Sequence, residues 1–183
     1  MGGCCTWMKP FICKASVIWR GTHANGNGAV STPSEVLNKA LYSLGRHIKA
    51  RGTNPPELIA AAHAGSFSIA LANELGDGGY TPEQIDTTVT VTMEDVPTGW
   101  TMTQIHLDVI ATVPRASQCD FIDAAMQAKL SCPISRLLNA NISMRANLKR
   151  RLNGARPQPA KRARKGGPSP TRNGKSKQRP KDS

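Results

Sequence analysis

Residues 54–75 read Asn54-Pro55-Pro56-Glu57 and then LIAAAHAGSFSIALANEL, and the rest of the chain is best read outward from them. Asn54 carries an N-capping side chain and Pro55 suits the first helical position. Pro56 still falls in the first turn, where a missing N–H costs little. Glu57, three residues after Asn54, stands where a capping box places its acid. From Leu58 to Leu75 apolar or small residues occur on every side, and Gly76 is read as the stop. A helix with no polar face is expected to be covered all round. Its small residues, among them Ala61, Ala64, Gly65 and Ser66, let another backbone come close.

The flanking segments alternate instead. Ala15–Trp19 is read as a short strand, Gly26–Gly28 as a turn and Ala29–Thr32 as the returning partner, while Lys39–Ile48 is ambiguous. After a turn at Gly78-Gly79, Ile85–Met93 places Val89, Val91 and Met93 on one face. Thr101–Val113 does the same with Ile105, Leu107, Val109, Ala111 and Val113, and Asn141–Leu148 with Ile142, Met144, Ala146 and Leu148. Each is the pattern of a strand with one buried face. Between the last two lies a second helix, capped by Ser117 with Asp120 three residues on. It carries Phe121, Ile122, Ala125 and Leu130, breaks at Ser131-Cys132-Pro133, and is followed by a short helix through Arg136–Leu138. Strands outnumber helices and follow one another, so the class is α+β with antiparallel strands over buried helices.

Charge divides the chain. Of 24 Lys and Arg, residues 149–183 hold 13, with Asp182 as their one acid, which leaves residues 1–148 with eleven basic and eleven acidic side chains. The tail also has five Pro and four Gly and no large apolar residue after Leu152, so it cannot offset its ordering entropy and is expected to be disordered. The expected organisation is an irregular extension over 1–14, a neutral domain over 15–148 and a basic tail over 149–183. The longest apolar runs are about ten residues and are interrupted by His and Ser, which reads as too short for a membrane span. Five cysteines without a Cys-x-x-Cys pair, beside four His without ligand spacing, predict neither a zinc site nor a cofactor, and the odd count argues against a secreted disulfide framework. At 4%, aromatic residues are too few for a base-stacking platform. With no export signal at the start, the expected location is the cytoplasm.

Few residues carry chemistry by themselves. Cys132 precedes Pro133 at the start of a short helix, where the dipole favours a thiolate; the alternative is a buried small hydrophobe. His63 lies one turn before Ser66, but a helix face is a poor stage for a serine nucleophile, and no Gly-x-Ser-x-Gly elbow is present. His63 is therefore read as a hydrogen-bonded core residue and His106 as surface.

Several long motifs in order resemble the OsmC/Ohr family, the osmotically inducible and organic hydroperoxide resistance proteins, and most closely its OsmC branch. They are GTNPPELIAAAHAGSFSIALANEL, GYTPEQIDTTVTVTMEDV, TMTQIHLDVIATVP, FIDAAMQAKLSCPIS and NISMRANL, preceded by VIWRG and GAVSTPSEVLNKALYS. The resemblance covers about residues 15 to 148. It implies a curved antiparallel sheet around two central helices in an intertwined homodimer with sites at the interface. It also implies a thiol peroxidase: one Cys attacks an organic hydroperoxide and becomes a sulfenic acid, a second Cys condenses to a disulfide, and a dithiol reduces it. Carried over, Arg46, six residues before Gly52, takes the place of the Arg that positions thiolate and peroxide, and Cys132 takes that of the resolving Cys. The reactive Cys position is Ser66, in His63-Ala64-Gly65-Ser66-Phe67. The active-site Glu position is Pro56, with Glu57 one place later. A thiol of pKa near 8.5 becomes a thiolate beside a cation at neutral pH, whereas a hydroxyl, several units less acidic, does not. The implied peroxidase is thus expected to be impaired.

Three functions follow. One is peroxide detoxification, weak or rerouted through Cys132 or Cys119. A second is a silent scaffold of the same fold binding an apolar ligand. The third is non-specific nucleic-acid contact through residues 149–183, weakening as salt rises. Arg150-Arg151 and Lys161–Lys165 also fit a bipartite nuclear signal, and Met1-Gly2-Gly3-Cys4-Cys5-Thr6 fits an acylation pattern.

Overall fold

The computed structural model describes residues 11–22, 25–43 and 52–149. Arg46, the Gly-Gly-Cys-Cys segment and the tail beyond Lys149 lie outside them.

A hairpin opens the described chain: β1 (Ser16–Arg20) pairs antiparallel with β2 (Asn27–Ser31), which pairs antiparallel with β3 (Ala40–Tyr42). Of the expected Gly26–Gly28 turn, only Gly26 lies between the two strands. Gly26 donates to the Thr22 carbonyl at 2.7 Å, and Asn27 and Gly28 already belong to β2. The Trp19 ring lies where a side chain at Gly26 would stand, which is why this position takes glycine. β3 leads to the central helix: Thr53 donates to the Leu41 carbonyl at 2.8 Å and Ser43 to the Thr53 carbonyl at 3.1 Å.

The central helix, α1, runs Pro55–Asp77. Asn54 caps it, its Oδ1 accepting from Glu57 N at 2.9 Å, but the other arm of a capping box is redirected: the Glu57 carboxylate takes the Thr53 hydroxyl at 3.0 Å. The helix passes through Gly76, which nothing crowds. It ends at Gly78, whose N–H reaches the Glu74 carbonyl at 3.1 Å, and Gly79, with φ +77°, turns the chain back. Glycine in the last turn weakens a helix by about 1 kcal/mol without breaking it.

β4 (Gln84–Val96) and β5 (Gly99–Thr112) then form a long antiparallel pair. The predicted inward face of β5 is the core: Ile105, Leu107 and Val109 are fully buried, with Ala111 and Val113 nearly so. α2 (Gln118–Ser131) and the five-residue α3 (Pro133–Leu137) follow, and β6 (Asn141–Leu148) closes the sheet. Here the antiparallel expectation fails: β6 runs parallel to β5, from Gln104 opposite Asn141 to Ala111 opposite Leu148. A hairpin forces antiparallel pairing, whereas the α2–α3 crossover carries the chain back to the starting edge, as a parallel neighbour requires.

The core lies between the β4–β5–β6 sheet and the helices. α1 contributes Phe67, Leu71 and Leu75 and α2 contributes Phe121, Ala125 and Ala128, all fully buried. Within the chain α1 is thus covered on one stripe, His63-Phe67-Leu71-Leu75, while Ile69 on the other side is 74% exposed. α2 likewise turns Ile122, Met126 and Leu130 outward. By length and composition α1 is apolar enough to span a membrane, which corrects the run-length reading: alanines and glycines bridge the interruptions at His63 and Ser66. Its buried stripe nonetheless belongs to the hydrophobic core.

Candidate functional site

The site grows from two places, the first half of α1 and the junction of α2 with α3. On α1, helical spacing puts His63 and Phe67 on the inward stripe and Ser66 on its flank, half-buried. At the junction, Pro133 has no N–H to continue α2 and restricts the residue before it, so Cys132 is extended in ψ (121°). Cys132 therefore belongs to both helices. Its N–H makes the last bond of α2, to Ala128 at 2.9 Å, and its carbonyl receives the first bond of α3, from Arg136 at 3.1 Å.

This junction packs against α1 and brings Cys132 Sγ to 3.3 Å from Ser66 Oγ across 66 residues of sequence. The sulfur is fully buried. Burial pushes the thiol up, but its hydrogen bonds outweigh that and hold it below the ordinary thiol range. In order of effect they come from the Ser66 hydroxyl, the Ser135 N–H and hydroxyl, and the Ile134 N–H. The two readings of Cys132 thus meet in one residue, a buried cysteine surrounded by donors.

His63 lies beside it. Fully buried, it bonds through Nε2 to Ser135 Oγ at 2.8 Å, while its Nδ1 has no partner. Burial lowers its pKa and keeps the imidazole neutral. The sequence reading of His63 as a hydrogen-bonded core residue holds, and Ser135, its partner 72 positions away, is the site residue that reading missed. Pro56 and Glu57 stand in the first turn of α1, with Glu57 engaged by Thr53. His106 is exposed on β5 and meets Ser143 Oγ at 2.8 Å. Cys119 is exposed in the first turn of α2. Among the described residues no three His, Cys, Asp or Glu side chains gather as a metal site. A small cavity at the end of β5, lined by Pro114, Arg115, Leu148 and Lys149 among others, includes none of the site residues.

Comparison with known proteins agrees with this architecture. The family described as OsmC-like protein matches residues 48–147. The chain is 41% identical to the peroxiredoxin OsmC of Escherichia coli over 137 residues, 74% of this chain and 96% of that one. Among solved structures, the OsmC-like protein from Mycoplasma pneumoniae superposes with a TM-score of 0.63 at 13% identity, covering 77% of this chain and 99% of that one. The organic hydroperoxide resistance protein OhrB of Bacillus subtilis gives 0.56 at 20% identity, over 74% and 98%.

Proposed function

The chain belongs to the OsmC-like protein family, and we propose that it is a thiol-dependent organic hydroperoxide reductase of OsmC type whose two-sulfur centre is interrupted at Ser66. The observation that carries the reading is the 3.3 Å approach of Ser66 Oγ to Cys132 Sγ, the separation from which two sulfurs would close a disulfide with small side-chain movement.

In the complete cycle a thiolate at position 66 attacks the peroxide. An S–O bond forms, the O–O bond breaks, and the alcohol leaves with a proton. Cys132 then displaces the sulfenic oxygen as water, and a dithiol restores both thiols. Serine at 66 removes the first step, because its hydroxyl stays protonated at neutral pH and has no sulfenate to hand on. Burial keeps Cys132 from serving as a direct substitute. Arg46 is assigned to position thiolate and peroxide, as in the family.

The working unit in this proposal is a homodimer in the cytoplasm. The outward apolar faces of α1 and α2, with Ile69 and Leu130 at 74% and 63% exposure, support a second copy as their cover. Substrates are an organic hydroperoxide and a dithiol reductant.

The test is dithiol-dependent consumption of cumene hydroperoxide by wild type, Ser66→Cys and Cys132→Ser. Wild type should turn over near background, and Ser66→Cys should gain at least about tenfold; adding Pro56→Glu should raise it further. Strong wild-type turnover abolished by Cys132→Ser would overturn the reading and make Cys132 the nucleophile.

A further inference from the structure

His63 and Ser135 have no part in the two-sulfur cycle, although both are built onto its remaining sulfur. His63 is fully buried and one of its ring nitrogens, Nδ1, has no hydrogen-bond partner. A neutral imidazole carries one N–H, and a buried N–H without an acceptor costs more than an idle lone pair. The proton is therefore best placed on Nε2, where Ser135 Oγ accepts it at 2.8 Å. That leaves the Ser135 hydroxyl proton free for another acceptor, and Cys132 Sγ is the atom it meets.

We propose that His63, acting through Ser135, is a positioning residue: by holding the Ser135 oxygen at 2.8 Å it turns the Ser135 hydroxyl proton onto Cys132 Sγ, where it acts beside the Ser66 hydroxyl 3.3 Å from the same sulfur. His63 serves as a donor and not as a base, in keeping with an imidazole that burial keeps neutral. The role rests on the reading of Cys132 as the resolving sulfur and deepens it, since a thiolate is the form that attacks a sulfenic acid.

Among the described residues no charged side chain acts on this sulfur beside the hydrogen bonds. On the helices packed around it, Glu57 is bound to Thr53 and Asp77 to Asn73. Glu74 is bound to Ser131, Asp120 to Ser117 and Tyr80, and Lys129 to the Ile142 carbonyl. Asp123 and Arg136 complete the set.

The experiment needs no peroxide, so its failure and a failure of the proposed activity are separate results. In the full chain with Cys4, Cys5, Cys13 and Cys119 replaced by Ser, thiolate absorbance at 240 nm is titrated against pH, with Cys132→Ser as the blank. The midpoint should lie below that of a free thiol. Ser135→Ala and His63→Leu should shift it upward, while His63→Gln, which keeps an N–H at the ε position and takes up no proton, should leave it in place. Ser66→Ala, which leaves the His63–Ser135 pair intact, should shift it upward by removing another donor. Circular dichroism and thermal melting confirm that each variant is folded. If His63→Leu misfolds, Ser135→Ala and His63→Gln decide the matter. Folded Ser135→Ala titrating with the parent would overturn the proposal. So would His63→Gln shifting upward, since His63 would then be acting as a base.

Discussion

Ser66 and His63 sit three residues apart on α1, yet they reach Cys132 by different routes, one directly and one through Ser135. The direct contact was foreseeable, because the His-Ala-Gly-Ser-Phe and Cys-Pro motifs mark both ends of it. The indirect one was not: Ser135 is an unremarkable serine until the α2–α3 junction folds back against α1. Burial of His63 also has a thermodynamic consequence with a definite sign. Its folded pKa lies below the unfolded value of about 6.5, so below that pH the unfolded chain binds the proton more readily. The stability it contributes is present above about pH 6.5 and is lost as pH falls toward the folded value. Chemical denaturation of wild type and His63→Gln from pH 8 to 5 should show wild type losing stability more steeply. Parallel profiles would mean that His63 is solvated or already charged in the folded state.

At the level of elements, cap residues gave the helices away more reliably than apolar pattern did. Ser117 and Asp120 form the expected reciprocal box: Ser117 Oγ accepts from Asp120 N at 3.1 Å, and Asp120 accepts from Ser117 N at 3.0 Å and from the Tyr80 hydroxyl at 2.9 Å. The inward residues of α2 were harder to read, because its two apolar stripes, Phe121-Ala125-Ala128 and Ile122-Met126-Leu130, differ in burial through tertiary contacts and not in composition. The direction of β6 was illegible for a related reason. Alternation identifies a buried face whether the neighbour is parallel or antiparallel, and the crossover decides between them. Ser117→Ala should cost about 1 kcal/mol at neutral pH, the usual worth of an N-cap. The Ser117 hydroxyl and N–H, then the Tyr80 hydroxyl, hold the Asp120 carboxyl below its ordinary range. Its contribution is accordingly present above the unfolded value of about 3.9 and lost as pH falls through the folded one. Asp120→Asn should therefore be less stable than wild type at pH 7, with the gap closing below pH 4 by urea denaturation; a gap independent of pH would assign the effect to packing.

Over the whole molecule, the unbroken apolar circumference of α1 said that something must cover it, and the single chain covers one stripe. Gly65 has open space around the position of an added Cβ, and Ile69 stands largely in solvent. In a monomer both sites would be permissive: Gly65→Leu would improve helix propensity by up to about 1 kcal/mol, and Ile69→Lys would replace an exposed hydrophobe at a cost within about 0.5 kcal/mol. In the proposed homodimer the same changes fail for opposite reasons. A leucine at 65 blocks the close approach that the small residues permit, and a lysine at 69 buries a charge without a partner. Multi-angle light scattering at micromolar concentration should give a dimer for wild type and a shift to monomer for each variant. Melting temperatures should fall by several degrees in both, because α1 would then be left half covered. A wild-type monomer, or two variants as dimeric and as stable as wild type, would leave the outward face of α1 without its partner and defeat the dimer.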